Sequence, residues 1–202
     1  MNTINLKTIL KLNGSALLSG ILLVLCFPTI DLFFISWIAL VPFLLSLYNK
    51  TPKEAFMAGL FLGIPYFFGT QYWIYHSINH YGGIPFFISI AIVFLLSLYL
   101  SLYTGIFALL FSLNIRTLRF QIPFFAPFLW VALEFLRSYM FTGFPWSSIG
   151  YTQYKFLHII QISDITGIYG VSFLIVAVNN AITEVLIIRR RIREMPLLPL
   201  SM

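Results

Sequence analysis

An all-α, polytopic transmembrane bundle of about six spans is the fold this sequence predicts, and three observations predict it. Of the 202 residues, 60% are hydrophobic and only 9% are charged, a balance no soluble domain needs. The apolar residues fall into runs able to cross a hydrocarbon core of roughly 30 Å as helices. The basic residues gather in the short stretches between those runs. A net charge of +6 would suit a nucleic-acid partner if the cations shared one face. Here they sit in loops, where membrane topology accounts for them, so no nucleic-acid partner is expected.

The runs place spans at roughly 14–28, 32–48, 55–76, 85–113, 122–140 and 168–188. Lys7 and Lys11 precede the first, as in a signal peptide. No small-x-small cleavage site follows it; Phe27, Pro28 and Asp31 do, and the next apolar run begins at once, which predicts a retained span. The third follows a loop carrying Lys50 and Lys53. Beyond it, Gly82, Gly83 and Pro85 mark a helix that has already ended. The fourth run is long: at 1.5 Å per residue it exceeds about 40 Å, so it must tilt or protrude. Glu134 and Arg137 lie inside the fifth, which breaks at Gly143 and Pro145. The sixth follows an irregular stretch at 141–167.

Ten of the twelve Lys and Arg residues fall on one side of this arrangement, the exceptions being Arg137 and Lys155. Positive-inside bias then puts both termini in the cytoplasm. The turn at 29–31, the loop at 77–84 and the segment at 141–167 form the opposite, periplasmic surface. The expected organisation is a transmembrane bundle over 1–188. A basic cytoplasmic tail over 189–202 follows, ending in the apolar MPLLPLSM, the start of a further span.

The candidate site lies in WVALEFLRSYMFTGFPWSSIGYTQ, residues 130–153. Glu134 and Arg137, at i and i+3, share a helix face. Charges inside an apolar run are expensive and are kept for folding or function. They read as a structural ion pair locking helices together, with Arg137 reaching toward the interface, or as a polar anchor for lipid headgroups; the two are compatible. Thr142, Phe144, Trp146, Tyr151 and Gln153 are the lipid- or substrate-binding candidates. They combine amphipathic rings with hydrogen-bonding groups, the composition expected where an acyl chain meets a headgroup. Irregular backbone at membrane depth must be buried in protein or line a cavity.

Other polar residues read as structural. His76, His80 and Tyr81 are interfacial, and two histidines are too few for a metal centre. His158, Gln161 and Asp164 form the last polar cluster before the sixth span, too loosely spaced for a hydrolytic dyad. Asn179, Asn180 and Glu184 suit helix–helix hydrogen bonding. The single cysteine, Cys26, excludes an intrachain disulfide and reads as a small core hydrophobe. No P-loop, zinc motif or nucleophile elbow is present, so no metal and no cofactor are expected. A small transporter is disfavoured by the lack of any internal repeat.

Glu134-Phe-Leu-Arg137, Thr142-Gly-Phe-Pro-Trp146 and Gly150-Tyr-Thr-Gln153 resemble the membrane domain of bacterial apolipoprotein N-acyltransferases. Phe27-Pro28 before Asp31, Trp73-Ile74 before Gly82-Gly83, and Leu100-Ser-Leu-Tyr-Thr-Gly105 extend the resemblance, in family order, from about residue 15 to 188. It implies an enzyme of the bacterial inner membrane that moves an acyl chain from phospholipid to the N-terminal cysteine of a lipoprotein. The family's chemistry belongs to a periplasmic nitrilase-like domain with a cysteine nucleophile, a glutamate base and a lysine. Cys26 sits in a span, so no catalytic residue carries over. The family pattern continues into a seventh span, which this chain is expected only to begin. Expected partners are phospholipid, lipoprotein and a catalytic domain. The alternative is a non-enzymatic anchor for a separately encoded nitrilase or polyprenol-phosphate glycosyltransferase.

Overall fold

The computed structural model describes residues 6–28, 30–118 and 125–194, and every regular element in them is helical. The rest of the 114–121 loop beyond Leu118, and residues 195–202 of the tail, lie outside the described residues. Each of the six apolar runs becomes helix. The first is α1 (Leu6–Cys26) and the fourth is α6 (Phe86–Leu118), 33 residues long. The fifth is α7 (Phe125–Tyr139) and the sixth is α10 (Ile168–Glu194). Among the described residues, two helices are long and apolar enough to cross a membrane, over Phe86–Arg116 and Ile168–Arg193. The apolar helices Asn13–Cys26 and Phe33–Leu47 are shorter.

The second run is broken, not continuous. A 3-10 turn at Phe33–Ile35 leads into α2 (Ser36–Ala39), and α3 (Val41–Leu47) follows Leu40. Pro42 has no N–H to give the preceding turn. Asn179 of α10 then enters the ladder. The Leu40 N–H, which an unbroken helix would give to Ser36 O, donates to Asn179 Oδ1 at 2.9 Å. Asn179 Nδ2 donates to Ser36 O at 2.8 Å. One side-chain amide thus replaces one helical bond, a recognised cause of a kink.

The third run divides into α4 (Pro52–Thr70) and α5 (Tyr72–His76), which continues as a π turn over Ser77–Tyr81. Its start is fixed by a reciprocal cap. Glu54 N–H donates to Thr51 Oγ1, and the Glu54 carboxylate accepts from the Thr51 N–H and hydroxyl, both at 2.8 Å. Those bonds hold the Glu54 carboxyl below its ordinary range.

Packing is closest between α4 and α6. A Cβ on Gly59 would lie 2.6 Å from Gly105 Cα, and one on Gly63 would lie 2.7 Å from Ser101 Cα. This Gly-x3-Gly face lets the backbones touch, and Thr104 Oγ1 donates to Gly59 O at 2.9 Å. The core beside this seam contains Phe43, Leu44, Leu62, Tyr66, Phe107, Trp130 and Ile175. α7 and α10 pack together, and the 3-10 turn Ile149–Gln153 rests on α10. The short helices α8 (Leu157–Ile160) and α9 (Ser163–Thr166) complete the connection.

Candidate functional site

The segment after α7 cannot continue as helix, because Gly143 has φ +75° and Pro145 follows. It folds back, with Gly143 N–H donating to Met140 O and Phe144 N–H to Arg137 O, both at 2.9 Å. Three non-glycine residues among those described have positive φ: Asp31 (66°), Phe141 (56°) and Ser147 (59°). Such backbone persists only where its surroundings over-determine it.

Ser147 illustrates this. Its carbonyl accepts from the Tyr66 hydroxyl at 2.5 Å. Its hydroxyl donates to Thr70 Oγ1 at 2.9 Å, and Thr70 in turn donates to Tyr66 O at 2.9 Å. A backbone carbonyl only accepts, so Thr70's proton is committed there and Ser147's to Thr70. Ser147 Oγ must therefore accept from Gln71 Nε2, which fixes the orientation of that amide. Gln71 Oε1 is left buried and without a partner.

The next residues are fixed from α7 and α10. Ile149 N–H donates to Glu134 Oε1 at 2.9 Å, and Trp130 Nε1 donates to the same oxygen at 3.0 Å. Arg137 donates to Ser148 Oγ at 3.2 Å and lies 5.1 Å from the Phe67 ring centroid. Gly150 N–H donates to Ser172 Oγ at 3.0 Å. Gln153 Nε2 donates to Ser36 Oγ at 2.8 Å and to Phe33 O at 3.1 Å. The stretch 147–153 is thereby tied to α4, α7, α10 and the turn before α2. Glu134 and Arg137 are 6% and 2% exposed, and no ion pair joins them; each spends its charge on the loop and its own surroundings.

The fixed loop forms one wall of a cleft of about 600 Å³. Trp146, Tyr151 and Tyr154 line it together with Phe27, Ile30 and Trp73, and Trp73 and Trp146 meet edge to face at 5.8 Å. The lining is rich in aromatic side chains, with Thr70, Gln71 and Ser147 as its non-aromatic polar members. Such a cavity, largely apolar with a few fixed polar groups, is the usual form of a small-molecule or lipid site.

The structure separates the five candidates. Trp146 and Tyr151 line this cleft. Thr142 and Phe144 line a different recess of about 400 Å³, together with Tyr99 and Phe141. Gln153 is fully buried and serves the loop's own anchoring. The histidines His76 and His80 stack at 5.2 Å, and His158 and Asp164 share no hydrogen bond. Asn180 Nδ2 donates to Glu184 Oε1 at 2.8 Å along one helix. Cys26 is buried and its thiol donates to Leu22 O at 3.1 Å.

Sequence reasoning missed Gln71 and the ion pair between Lys155 and Asp31. Gln71 gives no periodic signal, since its pairing with Ser147, one of the hydrogen-bonding groups of 142–153, spans separate elements. The ion pair between Lys155 and Asp31 had one: an acid and a base left together on the side poor in cations.

The domain family described as the apolipoprotein N-acyltransferase N-terminal domain matches residues 19–181. The apolipoprotein N-acyltransferase of Geobacter metallireducens is 42% identical over 172 residues, covering 85% of this chain and 33% of that protein. Those of Pasteurella multocida and Coxiella burnetii are 32% and 31% identical, covering 87% and 83% of this chain and 34% and 35% of their own. The chain spans about a third of the length of these relatives. A match over most of the chain, at this identity, means that it belongs to the apolipoprotein N-acyltransferase family, of which these residues form the N-terminal domain.

Proposed function

We propose that these residues are the membrane module of a lipoprotein N-acylating enzyme. The module crosses the bacterial inner membrane six times with both termini cytoplasmic. It holds the acyl chains of phospholipid and lipoprotein at the periplasmic face, where a nitrilase-type unit transfers the acyl group to the lipoprotein's N-terminal cysteine. The observation that carries this reading is the aromatic cleft of about 600 Å³ beside Trp146, bounded by a loop held in strained backbone by buried polar bonds.

Acyl transfer through a thioester needs an activated thiolate with a base in reach. The one thiol among these 202 residues belongs to Cys26, buried in α1 and bonded to a helix carbonyl. The nucleophile therefore lies outside these residues, in a unit of the same or a separate polypeptide. What the module contributes is position: two walls that exclude water from apolar chains, and hydroxyl and amide groups at the depth where headgroups begin.

Photo-crosslinking with a diazirine-bearing phospholipid tests the reading. Trp146→Ala should lose most of the labelling of the 142–154 peptide. Phe94→Ala, an aromatic truncation on α6 away from the cleft, should label like the parent. Equal labelling of all three proteins would refute the lipid site.

A further inference from the structure

The cleft carries a charge pair at its rim. Lys155 pairs with Asp31 beside it: Ile30 and Tyr154, their chain neighbours, both line the cleft. The two partners are not equivalent. Asp31 is held in a turn at φ 66°, its N–H donating to Phe27 O at 2.9 Å, and only 19% of its side chain is exposed. Lys155 has 52% of its side chain exposed, on a flexible four-carbon stem, and its Nζ lies 5.5 Å from the Tyr154 ring centroid. The anion is set in a tight turn, and the cation is the more exposed partner on the longer side chain. Arg137, the other cation near this loop, is buried and engaged by Ser148 and Phe67.

We propose that Lys155 is an exchangeable headgroup clamp, for which Asp31 and the phosphodiester of a bound lipid compete. The inference rests on the proposed reading of the cleft as a lipid site. A solvent-reached ion pair is weak, worth at most about fivefold in an equilibrium, so its exchange is not costly. An ammonium set against a phosphate oxygen makes a charge-assisted bond of the same kind as it makes to a carboxylate, so the lipid can take the aspartate's place. Asp31 also repels an incoming phosphate, so the aspartate acts as a brake on binding and the lysine as its receiver.

This predicts opposite signs for two substitutions that a merely structural clasp would move together. Binding is measured on the purified full chain in detergent, with dioleoyl phosphatidylglycerol and with dioleoylglycerol, which has the same chains and no phosphate. Lys155→Gln should weaken phosphatidylglycerol binding about fivefold to tenfold, and Lys155→Arg should retain it. Asp31→Asn should tighten it by about threefold, since asparagine keeps the left-handed turn while removing the competitor. Neither substitution should change dioleoylglycerol binding. In the unsubstituted protein, raised salt should weaken phosphatidylglycerol alone, a check that needs no variant to fold.

If both substitutions shift affinity in one direction, or salt affects the two lipids alike, the clamp is overturned while the cleft stands. If neither lipid binds, the cleft reading fails and the clamp with it. If sn-glycerol 3-phosphate matches phosphatidylglycerol in affinity and in the signs of both substitutions, the site takes soluble phosphates, and the lipid assignment is overturned.

Discussion

Glu134 and Arg137 sit one turn apart on α7, and each turns toward the 148–149 stretch instead of the other. Removing the carboxylate strands two buried donors, the Ile149 N–H and Trp130 Nε1. Glu134→Ala should therefore cost about 2–4 kcal/mol, and Glu134→Gln, which keeps an acceptor oxygen, less. Arg137→Gln should also destabilise. Either change releases the same loop, so the double variant should be no worse than the worse single. Thermal unfolding in detergent measures all of these, and strict additivity would mean the two residues do not share the loop. The three-residue spacing made their common face legible in the sequence. It could not reveal that the carboxylate's partner is a backbone amide 15 residues on, because irregular backbone carries no period to read. Trp146 and Tyr151 were legible for the opposite reason: large amphipathic rings past a helix break have few other places to go. Gln153 carried the same signal and is an anchor, since composition does not say which way a side chain faces.

At the scale of elements, the α4–α6 seam depends on two glycines. Gly63→Val would drive methyl groups into the Ser101 backbone and should cost about 1–3 kcal/mol. On α1, by contrast, a Cβ added at Gly14 would meet nothing within 4 Å, so Gly14→Ala should be neutral or stabilise by about 0.5–1 kcal/mol. Comparing the two melting temperatures in one detergent separates close packing from helix propensity. All six apolar runs were legible as helices. The break at Leu40 was not, although Pro42 was in view: its partner, Asn179, stands 139 residues away, and an apolar run reads the same whether or not a distant amide interrupts it. Asn179 was legible only as a residue that would bond to another helix.

For the whole molecule, six crossings with cytoplasmic termini remain the expected topology. Reporter fusions check it: signals at Lys50 and Arg191 should be cytoplasmic, and those at Tyr81 and Lys155 periplasmic. A periplasmic signal at Arg191 would overturn it. The distribution of cations carried this expectation, and helix length carried only part of it, because α7, at 15 residues, and the apolar helices Asn13–Cys26 and Phe33–Leu47 are shorter than a full crossing. The buried polar bonds that fix 147–153 have a consequence for energetics of association. That segment loses its conformational entropy once, when the chain folds, so a lipid docking against Trp146 as proposed would find a wall already ordered. Under that proposal, affinity for an acyl chain depends on the area it buries, with no further ordering of this loop. A lipid with fewer methylenes should lose affinity smoothly, by about 0.8 kcal/mol for each one no longer buried, instead of collapsing at a threshold length.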